Sequence, residues 1–176
     1  IATGEQSGTW GDTTNTNLEL IAGAFSYGTE TIADSDTTIT MADGAADAAR
    51  SFYLKIASSA DLTATRTITL APNTVSKVWI IENATTGSQS ITISQGSGAS
   101  VTIASGQVKM IVTDGGGSGA IVYDTLQDLA IPDLFVDDDL TVGDDVSLTS
   151  DGSVIKFGAD SEIQLTHVAD TGLLLT

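Results

Sequence analysis

Between Phe52 and Thr113 apolar and polar residues alternate with a period of two, the spacing of a half-buried strand. In "RSFYLKIAS" Phe52, Leu54 and Ile56 fall on one side, Tyr53 and Lys55 on the other. "RTITL" and "SITIS" repeat the pattern, as does "QVKMIVTD" through Val108, Met110 and Val112. "KVWIIEN" is apolar on both sides, which predicts a central strand covered on both faces. Turn-forming stretches ("APNT", "TTGS", "GSG", "ASGQ", "DGGGSG") separate the runs. The pattern predicts an antiparallel β-sandwich or barrel over residues 31–126. Phe52, Leu54, Ile56, Val78, Ile80, Ile91, Ile93, Met110 and Val112 are expected inside it.

The flanks follow other periods. Over residues 1–30, Leu18, Ile21, Ala22 and Phe25 recur at helical spacing after Asn15 or Asn17 as N-cap, and Gly28 is expected to stop the helix. A helix of about ten residues is marginal in water, so it needs a surface to dock on. Trp10, between two glycines, adds a large apolar anchor on permissive backbone. Residues 127–176 form a third unit, opened by the break at Ile131-Pro132. It carries short apolar beats, among them Leu140–Val142, Val146–Leu148, Val154–Phe157 and Ile163–Leu165, separated by Asp/Gly/Ser turns. Each beat is too short to build a core, which predicts stacking as a solenoid or around a symmetry axis.

Charge sharpens this division. The net charge is −17, from 23 acids and six bases, and five of those bases (Arg50, Lys55, Arg66, Lys77, Lys109) lie in the middle unit. Such a chain repels phosphate backbones and anionic lipids, so neither nucleic acid nor membrane insertion is expected. There is no cysteine, hence no disulfide framework. The chain begins at Ile1 and stops within the apolar "GLLLT", and is read as part of a longer polypeptide.

Three stretches then acquire a common meaning. "GTWGDTTNTNLELI" resembles the N-terminal motif of tail-fibre proteins of tailed bacteriophages. "RTITLAPNTVSKVWIIENATTGSQSITISQGSGASVTIASGQVKMIVTDGGG" is similar to the β-domain that follows it in those proteins. "DGSVIKFGADSEIQLTHVADTGLLL" resembles a segment common in fibre and tail proteins of marine phages. The resemblance implies a homotrimeric virion protein, fixed by its N-terminus to adaptor or nozzle-type tail proteins, whose distal region contacts a host surface receptor. On this reading Trp10, Gly11, Asn15, Asn17, Leu18, Ile21 and Phe25 dock on the tail. Leu140, Val142, Val146, Leu148, Val154, Phe157, Ile163 and Leu165 would line the start of a trimeric β shaft.

Candidate chemistry is sparse. "GGGSG" lacks the Lys and helix of a phosphate loop and reads as a strand connection. His167 is the single imidazole and follows no nucleophile elbow; three copies on an axis are the one arrangement in which it would bind a metal. Asp137–Asp139 and Asp144–Asp145 lack the alternating ligand spacing of a Ca²⁺ loop and read as solvated turns. No catalytic residue, metal or cofactor is expected. Two other readings compete with the attachment fibre: a tail-spike depolymerase whose enzyme region lies downstream, and a secreted carbohydrate-binding module.

Overall fold

The computed structural model describes residues 7–160, 163–168 and 172–175, and the chain divides into two units, 1–130 and 131–176. It is mostly β, with one helix near the N-terminus. Unit 1 opens with α1 (Trp10–Gly23), followed by β1 (Tyr27–Ile32), β2 (Thr37–Thr40), β3 (Tyr53–Ser58), β4 (Arg66–Ala71) and β5 (Ser76–Ala84). β6 (Ile91–Ser94), β7 (Val101–Ile103), β8 (Val108–Asp114) and β9 (Val122–Asp124) complete it.

From β1 to β6 the chain crosses between two sheets at every turn. One is a five-stranded sheet in the order β1-β3-β5-β8-β9, the other a four-stranded sheet β2-β4-β6-β7. Consequently β1, β3 and β5 run parallel, as do β2, β4 and β6. The antiparallel pairs of unit 1 are β5–β8, β6–β7 and β8–β9. The expected all-antiparallel arrangement is therefore corrected to a mixed one, and no sheet closes into a barrel. Period-two alternation and frequent turns are common to both arrangements. What separates them is whether a turn returns the chain to its own sheet or to the facing one.

The inward faces meet in one core. Leu54, Ile56, Trp79, Ile81 and Ile111 come from the larger sheet, Ile39, Ile68, Leu70, Ile91, Ile93 and Ile103 from the smaller. Leu54, Ile56, Ile91 and Ile93 are buried as expected, and Phe52 is half-buried. Val78, Ile80, Met110 and Val112 are not core residues: their strands are turned by one residue, so Trp79, Ile81, Ile111 and Thr113 point inward instead. A strand apolar at both parities carries no phase of its own. Here the phase follows its largest side chain, Trp79, which is 2% exposed and donates its indole N–H to the Ala49 carbonyl at 2.9 Å.

Among the described residues, buried polar side-chain atoms are paired with the exception of Arg50 Nε. The Asn83 amide donates to the Gln89 and Ile103 carbonyls (3.0 Å each), while its oxygen accepts from Thr85. This knot fastens the β5–β6 connection to β7. Gly28 does not end the helix; it lies buried in β1, where a Cβ would stand 2.5 Å from the Ala48 carbonyl and the Ser51 hydroxyl. Only glycine lets the short 3₁₀ turn Ala48–Arg50 cross β1 so closely.

Unit 2 is a three-stranded antiparallel meander of β10 (Val154–Phe157), β11 (Ile163–Val168) and β12 (Gly172–Leu175). The earlier beats, Leu134–Val136, Leu140–Val142 and Val146–Leu148, lie in irregular chain rather than strands. Among residues 123–160 and 163–168 no side chain is buried.

The phase of β5 is directly testable. Ile81→Ala should lower unfolding free energy by about 2–5 kcal/mol, and Val78→Ala by about 1 kcal/mol or less. Urea titrations followed by Trp fluorescence compare them, and equal costs would contradict the inward assignment of Ile81.

Candidate functional site

The N-terminal helix carries most of the residues expected to dock. It begins earlier than its apolar period suggests: Thr9 precedes the first helical residue, so Asn15 and Asn17 lie within the helix instead of capping it. It ends at Gly23. At about 100° per residue, Trp10, Asn17, Leu18 and Ile21 fall on one side, with Asp12 and Glu19 opposite. That apolar side faces solvent. Trp10 is 68% exposed, Leu18 and Ile21 are each 58% exposed, and no residue of α1 is buried. Gly11 is half-buried, whereas Asn15 and Asn17 are exposed. Phe25 lies past the helix end in the connection to β1 and is also exposed.

The C-terminal end of α1 is held firmly. The Ser26 hydroxyl donates to the Gly23 carbonyl at 2.7 Å and stands 3.1 Å from the Ser51 hydroxyl. The Ser26 carbonyl accepts from the N–H groups of Phe52 and Tyr53. The helix is thus fixed at one end to the β domain while its apolar stripe stays uncovered.

The residues expected to line a shaft are open to solvent. Leu140, Val142, Val146 and Leu148 are exposed in irregular chain, Val154, Phe157 and Ile163 are exposed on β10 and β11, and Leu165 is half-buried. His167 is exposed on β11. Among the described residues no three His, Asp or Glu side chains converge to hold a metal, and Asp137–Asp139, Asp144 and Asp145 stand exposed. "GGGSG" is the connection between β8 and β9, closed by Asp114, whose carboxylate accepts from the Gly116 and Ile121 N–H groups at 2.9 Å each. Those bonds hold the Asp114 carboxyl below the usual range.

In the β domain four bases meet carboxylates: Arg50–Asp47, Lys55–Glu82, Arg66–Asp34 and Lys109–Asp124. Asp34 ties the β1–β2 connection to β4, accepting from the Thr63 hydroxyl and N–H and from Arg66, which together lower its pKa. Asp124 is likewise lowered, chiefly by Lys109 at 2.8 Å. That pair lines a shallow cavity of about 290 Å³ with Val108, Met110, Leu126 and Gln127. Its single carboxylate is already engaged by the ammonium group, which leaves no free acid–base pair there.

The fifth base was not singled out by the sequence. Lys77 is half-buried, with its ammonium 4.7 Å from the Trp79 ring centre and 5.8 Å from that of Phe52. It donates to the Ser51 and Val78 carbonyls at 3.0 and 3.2 Å. Burial, with a smaller contribution from Arg50, lowers its pKa from 10.5 to about 8. The arrangement secures β5 to the chain around Ser51, so Lys77 reads as a structural cation. Its period-two neighbours gave the only available signal: a Lys two residues before a Trp on the same side of a strand.

No helix among the described residues is long and apolar enough to cross a membrane. Comparison with protein-family models, curated proteins and solved structures gave no match.

Lys77 makes stability depend on alkaline pH. Between about pH 8 and 10.5 the unfolded chain holds a proton that the folded one has released, so folding becomes more favourable as pH rises through that window. Against a Lys77→Met variant, the wild-type urea midpoint should rise between pH 7 and pH 10. A difference that does not change with pH would mean that the ammonium group is not desolvated.

Proposed function

We propose that this chain is the tail-proximal part of a homotrimeric tail fibre of a tailed bacteriophage, a structural virion protein. One observation carries the reading: α1 presents Trp10, Leu18 and Ile21 to solvent while its other end is bonded into the β domain. A free amphipathic helix of this length has little stability of its own, and large apolar side chains clustered on it make a docking surface. Adaptor or nozzle-type tail proteins are the partners proposed to cover it. The resemblance of "GTWGDTTNTNLELI" to fibre N-termini supports the same assignment.

Unit 2 supports the oligomeric part of the proposal. Its apolar side chains among residues 131–160 and 163–168 are not buried, and three chains about an axis can pool them. Repulsion opposes this, since each chain contributes −17. The exposed Asp137–Asp139, Asp144, Asp145, Asp151 and Asp160 can remain in water, where salt screens them over about 8 Å at physiological ionic strength. The reading assigns no catalytic residue and no cofactor to this chain, and gives receptor contact to a distal region beyond it.

Two measurements test it. Trp10→Ala combined with Leu18→Asp should leave the β domain folded and abolish incorporation into phage particles, since a lost anchor costs about 2 kcal/mol or more. Normal incorporation of that variant would remove the docking role from α1. Light scattering on the full chain should show a trimer that strengthens as NaCl rises from about 0.05 to 0.5 M. A stable monomer would instead favour a binding module, and polysaccharide cleavage by this chain a depolymerase.

A further inference from the structure

The two sheets of the β domain turn very different outer faces to their surroundings. On the smaller sheet the outward positions are Thr38, Thr67, Thr69, Thr92, Ser94 and Thr102, with hydroxyls paired between Thr69 and Ser94 (3.2 Å) and between Thr92 and Thr102 (3.3 Å). That face is made for water. On the larger sheet, Tyr27, Tyr53, Ile80 and Met110 stand side by side across four strands, the two tyrosine rings stacked with centres 5.4 Å apart. A second row runs through Val78, Val112 and Tyr123. Tyr27 and Tyr123 are 58% and 49% exposed, and Tyr53, Val78, Ile80, Met110 and Val112 are half-buried. Both faces come from the same alternation, so the apolar one is not a by-product of strand-forming composition.

We infer that the outer face of the β1-β3-β5-β8-β9 sheet is the surface through which copies of this chain pack on one another. The inference rests on the homo-oligomeric reading above and assigns it a surface within the β domain, distinct from the residues after Ile131.

Charge selects the occupant. The chain carries −17, so most approaches between two copies are repulsive, and a basic partner would be drawn to the acid-bearing surfaces. Across the middle of this face the charges are paired: Lys55 lies 3.7 Å from Glu82, which also accepts from the Tyr53 hydroxyl. Its one unpaired carboxylate, Asp114, lies at the end and is turned back onto the Gly116 and Ile121 N–H groups. A second copy therefore meets little repulsion here. Because Lys55 and Glu82 sit on the same face, it offers both signs of charge to a neighbouring copy about a three-fold axis.

Area points the same way. Five strands about 4.8 Å apart, each contributing about five residues of 3.3 Å, cover roughly 400 Å² in projection. A standard interface needs about 800 Å² per partner. The face holds a partner firmly only when a second linked contact adds to it, and another copy of this chain brings one in the apolar residues of unit 2.

The test uses the full chain, which has no cysteine of its own. Ile80→Glu with Met110→Lys places opposite charges at directly opposed positions, so the strands stay paired while the face becomes polar. Thr67→Glu with Thr92→Lys makes the same change on the other sheet. Sedimentation equilibrium should show self-association weakened about tenfold or more by the first pair and unchanged by the second. A single Val112→Cys should form disulfides between copies on mild oxidation, and Thr92→Cys should not; this readout stands even if the charged pair fails to fold. Undiminished association of the charged variant, or equal cross-linking at both positions, overturns the assignment and leaves the fibre reading intact. A wild-type chain monomeric at about 100 µM also overturns it. The fibre reading is then judged separately, by whether the chain enters phage particles through α1.

Discussion

The β domain depends on two sheets that can bury their inward faces only against each other. No strand here is long, and several have three or four residues. A single sheet of such strands would leave one whole apolar side in water. The crossing connections solve this by adding one strand to each sheet in turn, so every new layer of Ile and Leu lands on the layer before it. Parallel register follows from that winding, since each return to a sheet starts from the same end. The close passage of Ala48–Arg50 over Gly28, and the Asn83 knot between β5 and β7, hold the ends of the layers together.

With the core closed this way, what remains on the outside becomes informative. One outer face is a field of hydroxyls and the other is apolar, α1 carries its stripe uncovered, and unit 2 buries none of the side chains among residues 131–160 and 163–168. Three exposed apolar surfaces on one strongly acidic chain amount to more than scattered surface leucines. Each asks for covering by protein, and the proposed assembly gives each a distinct cover: a tail protein for α1, and sister chains for the sheet face and for unit 2. The acids keep the remaining surface solvated and limit the directions in which copies can meet.

Much of this was legible in the chain itself. Period-two runs located β3, β4, β6 and β8 but not the short β2, β7 and β9 or the edge strand β1, and "KVWIIEN", apolar at both parities, is the middle strand of the larger sheet. Leu18, Ile21 and Ala22 of the helical spacing lie in α1 and Phe25 lies past its end; the helix starts at Trp10, before the spacing becomes visible, because Thr and Asn in its first turns carry no periodic signal. Lys77 escaped notice because a lysine two residues from a tryptophan is ordinary until the fold lays the ammonium over the ring.

The sequence by itself determined that the chain is β-rich, where the longer inner strands of the β domain lie and how its charge is distributed, because alternation and composition are local properties. Tertiary structure alone decided three things: that successive strands go to opposite sheets, that Trp79 and Ile81 rather than Val78 and Ile80 face the core, and that Gly28 admits a crossing chain instead of ending a helix. Each is a choice between arrangements with the same local pattern. Parallel and antiparallel strands alternate alike, and a doubly apolar strand can be turned either way. The choice is made by what packs across the gap between the sheets, where an indole fits and can reach the Ala49 carbonyl, and no window of neighbouring residues contains that contact.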